Sequence, residues 1–192
     1  MATLLLARHG ETDWNRDHRW QGHTGPRLNE RGRRQARELA GQLDRIDAIY
    51  SSDTIRARET AEIVGAELGL GVTTDPRLRE VDFGEWEGLT RHEIDERFAG
   101  AFTRWRAFEQ AEPDGGESDA TMAERVLRAL TDIAHEHADG RVLVVTSGGP
   151  IRAAQAHLGG IEQPTARRHL KTVANCGLAE VVIRDGRCAQ PS

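Results

Sequence analysis

An arginine and a histidine stand side by side near the start of the chain, at Arg8 and His9. Further along come Arg56, Glu80 and a glycine-rich turn that begins at Ser147. An imidazole can attack phosphorus, arginine forks can neutralise phosphoryl oxygens, and a carboxylic acid can protonate a leaving oxygen. If the fold brings these side chains into one crevice, they suit phosphoryl transfer through a covalent intermediate on the histidine.

Protein donors alone could hold the anion in this scheme. The helix expected to begin near Pro150 would present free backbone N–H groups to it, and the sequence has no aspartate cluster of the kind that binds Mg²⁺. The cysteines, Cys176 and Cys188, fit neither a disulfide framework nor a zinc-binding spacing. We therefore expect a reaction without a metal ion or another cofactor.

Apolar runs that precede these residues predict the strands that position them. Residues 4–7 form a continuous apolar run that ends at Arg8, which is typical of a buried strand. Other short apolar runs predict strands ahead of the remaining candidates, over residues 46–51 and 142–145 and just before Glu80. Because ligands bind beyond the carboxyl ends of parallel strands, a single sheet would gather these side chains into one crevice.

Helices are predicted between these strands from caps and apolar spacing. Asn29 indicates the start of one amphipathic helix, and Asp53 the start of a second. Thr90 and Glu93 form a capping box, which predicts a helix with an aromatic stripe at Phe98, Phe102 and Trp105. A long amphipathic helix is expected over residues 122–133.

Strands that alternate with helices predict an α/β fold with a mostly parallel central sheet flanked by helices. We expect one domain over residues 1–192, with residues 89–116 inserted as a small helical cap. The closing stretch predicts a strand over residues 178–183 and then a turn at Asp185 and Gly186.

The composition argues against several classes of protein. Hydrophobic residues make up 38% of the 192 residues and charged residues 30%, the balance of a folded chain. The net charge of −5 argues against a nucleic-acid binder, because such binding needs an excess of positive charge. No apolar run is long enough to cross a membrane, and the first residues lack the basic region of a signal peptide. We therefore expect a cytoplasmic protein.

Ordered sequence motifs run through most of the chain. The first is Arg8-His9-Gly10-Glu11-Thr12-Asp13-Trp14-Asn15. The others follow at Gln21-Gly22, residues 51–57, Leu78-Arg79-Glu80, residues 83–88, Gly116-Glu117-Ser118 and residues 142–151. Together they resemble the signature of the histidine phosphatases, the superfamily that includes the phosphoglycerate mutases.

This resemblance implies a role for each candidate residue. His9 is expected to be the nucleophile that becomes phosphohistidine, and Glu80 the proton donor to the leaving group. Substrate binding is implied for Arg8, Asn15, Gln21, Gly22, Arg56, Ser147 and Gly148.

The compact length and the run at residues 83–88 resemble the small phosphatases of the superfamily, such as α-ribazole phosphatase and phosphoglycerate phosphatase. The resemblance implies a phosphoglycerate mutase-like fold and a metal-independent phosphomonoesterase that acts on a small phosphorylated metabolite. A mutase is a further alternative, although mutases of this superfamily usually carry a longer cap insertion.

The chain departs from the family pattern at two places. Residues 25–28 read Gly-Pro-Arg-Leu where the family commonly has an aspartate and a proline before the leucine, which alters a loop beside the site. The family's second catalytic histidine falls at Ser147. A serine hydroxyl can donate a hydrogen bond, but it is shorter than an imidazole and neutral, so one electrostatic stabiliser is lost.

Ser147 leaves two functional classes open. One is a phosphomonoesterase that this serine slows, and the other is a catalytically weak relative that binds phosphate esters or a protein partner. His23 or another nearby cation could also compensate for the missing imidazole. His18, Trp20 and His23 either line the substrate pocket or pack under the cap, and the sequence leaves a homodimer open as well.

Overall fold

A computed structural model describes residues 1–110, 112–162, 165–184 and 187–189. Within these residues six strands form one sheet: β1 (Ala2–Arg8), β2 (Ala48–Ser51), β3 (Val72–Thr74), β4 (Arg141–Thr146), β5 (Leu178–Arg184) and β6 (Arg187–Ala189). Their order across the sheet is β3-β2-β4-β1-β5-β6. The strands β1 to β4 run parallel, and β5 and β6 close one edge in antiparallel pairs. The predicted α/β fold with a mostly parallel sheet is confirmed.

The first strand lies in the middle of the sheet because its residues are apolar on both faces. Leu4 and Leu6 pack into one hydrophobic cluster, whereas Leu5 and Ala7 pack into a second cluster on the opposite face. This alternation follows from the two-residue period of a strand. Burial on both faces is typical of a parallel sheet that is covered by helices on each side.

Helices cover both faces of the sheet. They are α1 (Asp13–Arg16), α2 (Glu30–Ala40), α3 (Ile55–Leu68), α4 (Arg91–Arg97), α5 (Ala101–Ala107), α6 (Asp119–Glu136), α7 (Gly148–Leu158) and α8 (Ala166–His169). Apolar residues of α2 and α3 join the cluster that holds Leu5, and those of α4 to α7 join the cluster that holds Leu4. None of the helices among the described residues is long and apolar enough to cross a membrane.

Local caps explain where several helices begin. The Asn29 side chain accepts a hydrogen bond from the N–H of Gly32, and Thr90 and Glu93 form the predicted capping box. The start predicted at Asp53 is wrong: α3 begins at Ile55, because the Asp53 carboxylate pairs with the Arg79 guanidinium instead of capping the helix. The turn predicted at Asp185 and Gly186 lies outside the described residues.

Two further expectations are corrected. Glu80 does not follow a strand, because Pro76–Leu78 is a single 3-10 turn, in which the Arg77 N–H donates to the Asp75 side chain. The glycine-rich stretch after Ser147 is the first turn of α7 and not a turn ahead of it. As a result, the loop that carries Glu80 and the N-terminus of α7, with its free N–H groups, both lie at the carboxyl edge of the sheet.

The aromatic stripe does not lie on one helix: Phe98 is the C-cap of α4, and Phe102 and Trp105 lie on α5. The chain turns between α4 and α5 at Ala99 and Gly100, whose φ angles of 49° and 77° are left-handed. Phe102 and Trp105 then pack into the same cluster as the sheet residues. We propose that residues 89–116 form a cap within one domain, since their apolar side chains share that core.

Candidate active site

A cavity of about 480 Å³ opens at the carboxyl ends of β1 and β4. The strands place it there, because Arg8 pairs with Thr146 in the sheet register and the N–H of His9 donates to the Thr146 carbonyl at 2.9 Å. Six of the residues that sequence motifs single out line the cavity: Arg8, His9, Asn15, Gln21, Glu80 and Gly148. Gly22, Arg56 and Ser147 lie outside the lining.

His9 is a buried histidine with a defined tautomer. Its Nδ1 lies 2.8 Å from the Gly10 carbonyl, which can only accept, so Nδ1 carries the proton and Nε2 keeps its lone pair. Burial, followed by the charges of Arg56 and Arg8, lowers the pKa of His9 well below its ordinary value of 6.5. The imidazole is therefore neutral at neutral pH, which is the form that can attack an electrophile.

Arg8 is the last residue of β1 and keeps a free donor. Its Nη1 donates to the Val173 carbonyl at 3.0 Å, whereas its buried Nε has no hydrogen-bond partner among the described residues. Burial lowers the pKa of Arg8, and the nearby charge of Glu80 opposes that shift. A partly buried guanidinium with an unused N–H in a cavity suits an oxyanion.

Arg56 lies behind His9, on α3, and is fully buried. Its Nε–H donates to Nε2 of His9 at 3.2 Å, and its terminal nitrogens donate to the carbonyls of Gly22 at 2.6 Å and Thr24 at 2.9 Å. Burial lowers the pKa of Arg56 to about 10, which leaves it charged at neutral pH. Gly22 thus contacts Arg56 through its carbonyl.

The loop that carries these carbonyls wraps around the Glu87 carboxylate. Glu87 accepts from the N–H groups of His23 at 2.6 Å and Thr24 at 2.9 Å. A Cβ on Gly22 would overlap that carboxylate, so only glycine fits there. The run at residues 83–88 therefore shapes the loop that holds Arg56.

Glu80 is held in the cavity by backbone donors. Its Oε2 accepts from the Gly149 N–H at 2.9 Å and its Oε1 from the Val81 N–H at 2.9 Å. Arg125 on α6 fixes the loop by donating to the carbonyls of Arg79 and Glu80, at 2.8 and 2.7 Å. A carboxyl group at this edge of the sheet thus has a fixed position without belonging to a strand.

Asn15 and Gln21 belong to a hydrogen-bonded network around His9. The Thr12 hydroxyl donates to Oε1 of Gln21 at 2.8 Å, and the Thr12 N–H donates to Oδ1 of Asn15 at 3.1 Å. The Asn175 amide donates to the His9 carbonyl at 2.9 Å and to Oδ1 of Asn15 at 3.2 Å. The network fixes the backbone on which the imidazole stands.

Ser147 is 1% exposed and precedes the first residue of α7. Its hydroxyl makes no cap hydrogen bond, and its Oγ has no partner among the described residues. Gly148 and Gly149, the next two residues, do line the cavity. A buried hydroxyl without a partner is costly in a protein, so Ser147 Oγ is, with Nε of Arg8, an unsatisfied polar atom of the site.

Sequence reasoning missed several residues of the cavity, which are Trp14, Arg19, Arg91, Arg106, Arg152 and Thr172. Of the three aromatic residues left open, His18 and Trp20 line the cavity, and Trp20 also packs against Phe83 with ring centroids 4.8 Å apart. His23 does not line it. Its ring nitrogens lie 3.6 Å from the Asp82 carboxylate and 3.9 Å from that of Glu117.

No group of three or more histidine, cysteine, aspartate or glutamate side chains among the described residues is arranged to hold a metal ion. The site offers a neutral imidazole, guanidinium groups on either side of it and a positioned carboxyl group. This combination, at the carboxyl edge of a mostly parallel sheet, defines a protein of the phosphoryl-transfer class.

Comparison with known proteins gives the family. Residues 4–190 match the model of the histidine phosphatase superfamily, branch 1. The chain belongs to that superfamily, and the prediction that it is a phosphatase is confirmed.

Relatives of known structure or name agree with this assignment. The chain is 37% identical to phosphoserine phosphatase 1 of Hydrogenobacter thermophilus, over 84% of this chain and 78% of the relative. It is 38% identical to phosphoglycerate mutase-like protein 4 of Arabidopsis thaliana, over 96% and 81% of the two chains. The crystal structure of α-ribazole phosphatase from Shigella flexneri has a TM-score of 0.85 at 27% identity, covering 97% of this chain and 93% of that chain.

Proposed function

We propose that this protein is a metal-independent phosphomonoesterase that acts on a small phosphorylated metabolite through a phosphohistidine on His9. The observation that carries the proposal is the state of His9. Its Nδ1–H is fixed on the Gly10 carbonyl, and burial together with Arg56 and Arg8 lowers its pKa. The ring is thus held as a neutral nucleophile with Nε2 as the attacking atom.

Two steps account for the hydrolysis. In the first, Nε2 of His9 forms a bond to phosphorus while the ester P–O bond breaks, and protonated Glu80 gives its proton to the leaving oxygen. In the second, the Glu80 carboxylate takes a proton from water as that water attacks phosphorus and the N–P bond breaks. Inorganic phosphate and the starting form of the enzyme result.

The guanidinium groups stabilise the charge of the transferring group. The unused Nε–H of Arg8 would donate to a phosphoryl oxygen. The Nε–H of Arg56 donates to Nε2 of His9 at 3.2 Å. When Nε2 attacks, this N–H would donate to a second phosphoryl oxygen instead. Preorganised donors of this kind often provide the largest share of catalysis.

The cavity suits a small substrate. Its volume of about 480 Å³ lies within the ordinary range for small-molecule sites. Trp14 and Trp20 offer aromatic surface for the organic part, and the similar proteins named phosphoserine phosphatase and α-ribazole phosphatase indicate phosphorylated metabolites.

An assay with 4-nitrophenyl phosphate at mildly acidic pH, in EDTA, tests this proposal. We expect hydrolysis by the unmodified protein, none by His9→Ala, and unchanged hydrolysis by His92→Ala, which removes an 81% exposed histidine on α4. Full activity in His9→Ala would contradict the nucleophile. Activity that EDTA abolishes and magnesium restores would contradict the metal-independent reaction.

A second candidate function is binding of phosphate esters with little turnover. The neutral, unpartnered hydroxyl of Ser147 favours it, because this position lacks the charge of an imidazole. Phosphate binding measured by calorimetry, together with no hydrolysis of a panel of phosphorylated metabolites, would support that function over the esterase.

A further inference from the structure

Arg152 is a cation in the cavity for which the proposed mechanism has no role. It lies on α7, in the second turn after Ser147, and it lines the cavity with Gly148 and Gly149. Side chains of a helix lean toward its N-terminus, so Arg152 extends toward the edge where the sheet delivers His9. Its Nη1 donates to Oγ1 of Thr172 at 2.7 Å, which fixes one end of the guanidinium.

Arg152 and Arg8 are held by consecutive residues of one segment. Arg152 donates to Thr172 and Arg8 donates to the carbonyl of Val173, at 2.7 and 3.0 Å. The two guanidinium groups are close enough for the charge of Arg152 to lower the pKa of Arg8. Two like charges in one cavity repel each other, and a bound anion relieves that repulsion.

No described carboxylate forms an ion pair with Arg8 or Arg152, although the charge of Glu80 acts on Arg8 from within the cavity. Arg152 donates to the Thr172 hydroxyl, and Glu80 is the one carboxylate among the described residues that line the cavity. Arg19, another cation of the lining, is already paired with Glu93 at 2.8 Å. Arg91 and Arg106 also line the cavity, from the cap helices α4 and α5, whereas Arg8 and Arg152 are held together by Thr172 and Val173.

His23 cannot fill this role in the observed arrangement. It lies outside the lining and faces the carboxylates of Asp82 and Glu117. Ser147, at the start of the helix that carries Arg152, is neutral. Arg152 is thus the cation on α7 that can supply the charge an imidazole would otherwise provide.

We propose that Arg152 is a phosphoryl-binding residue, which shares the phosphoryl charge with Arg8 where Ser147 supplies only a neutral hydroxyl. The proposal rests on the proposed function. It extends that function by assigning a new binding contact to the second turn of α7.

Calorimetry with inorganic phosphate tests the contact without turnover. Arg152→Gln should weaken phosphate binding by about tenfold to a hundredfold, the usual loss for a hydrogen bond between charged partners. Arg152→Lys should recover most of the affinity, because it restores the charge. Arg128→Gln is the control: it removes one positive charge from an exposed arginine on α6, 70% exposed and paired with Glu124, and should leave binding within about twofold.

A double-mutant cycle with Ser147→His separates charge sharing from a structural role. If both side chains serve one phosphoryl group, Ser147→His should raise kcat/KM more in the Arg152→Gln background than in the unmodified protein. Phosphate affinity in Arg152→Gln equal to that of Arg128→Gln would overturn the proposal. An equal loss of phosphate affinity in Arg152→Gln and Arg152→Lys would also overturn it. Phosphate binding that depends on Arg152 in a protein without any phosphatase activity would leave this proposal standing and refute the proposed function.

Discussion

The Nε–H of Arg56 donates to Nε2 of His9 at 3.2 Å, in a pocket where both side chains are almost entirely buried. The donor stabilises the lone pair on Nε2 and opposes protonation of that nitrogen. The Gly10 carbonyl fixes the proton on the other nitrogen, so each ring nitrogen of the imidazole has one defined partner. The nucleophile is thereby prepared before any substrate binds.

The pKa of His9 predicts how activity depends on pH. The folded value lies well below 6.5, so the nucleophile should stay neutral as the pH falls from 8 through 6.5. A profile of kcat/KM for an aryl phosphate should therefore show no loss from His9 protonation until the pH is below 6.5. An enzyme-dependent acid limb centred at or above 6.5, absent from the titration of the substrate alone, would contradict this.

The lowered pKa of His9 also determines how the free energy of unfolding depends on pH. In the unfolded chain the histidine takes up a proton near pH 6.5, whereas in the folded chain it stays neutral to a lower pH. The unfolded state binds more protons in that interval. The contribution of His9 to the free energy of unfolding is therefore lost as the pH falls below 6.5.

Glu80→Gln should separate good leaving groups from poor ones. A proton donor matters most when the departing alkoxide is a strong base, so alkyl phosphates should lose roughly a hundredfold or more in kcat and 4-nitrophenyl phosphate much less. Steady-state kinetics on the two substrates measure the difference. Equal losses would mean that Glu80 only shapes the site through its bonds to Gly149 and Val81.

A substitution at Gly149 should impair the same proton donation by Glu80. A Cβ at this position would overlap the Glu80 carboxylate, and Gly149 is also its backbone donor. Gly149→Ala should displace Glu80 and reduce kcat on alkyl phosphates by about a hundredfold, since small misplacements of catalytic groups are this costly. Gly71→Ala is the control, because nothing lies within 4 Å of a Cβ there. Unchanged kinetics in Gly149→Ala would show that the position of Glu80 does not limit the reaction.

Ser147 predicts a partly impaired site. Losing one preorganised donor typically costs about two to three orders of magnitude in turnover, and Arg152 would recover part of that. Ser147→His should therefore raise kcat by about tenfold if the start of α7 has room for the ring. No gain from histidine together with a clear loss in Ser147→Ala would instead mean that the site is built around the serine hydroxyl.

The main strands and several helix starts could be predicted from local pattern alone. The apolar run before Arg8 reports burial on both faces of a strand, and the caps at Asn29 and Thr90 report where helices begin. These patterns depend only on residues that are neighbours in the chain, so a single sequence is enough to recognise them. The break at Gly100 was missed, because aromatic spacing continued across it although the backbone turns there.

Long-range contacts account for what the sequence did not reveal. Glu80 is positioned by Arg125, 45 residues further along, and by Gly149, 69 residues further along. Asn175 reaches the His9 carbonyl across 166 residues, from a segment without apolar periodicity. Arg152 has the spacing of an ordinary helix arginine, and only its contact with Thr172 in the cavity distinguishes it.

Trapping the covalent intermediate tests the central claim most directly. The protein would be mixed with a phosphorylated substrate, quenched within the first turnover, digested and analysed by mass spectrometry alongside His9→Ala and His92→Ala. We predict a phosphate that is labile in acid and stable in base, located on the peptide that carries His9 in the unmodified protein and in His92→Ala, and absent from His9→Ala. Phosphate trapped on any other residue, or undiminished in His9→Ala, would contradict the account.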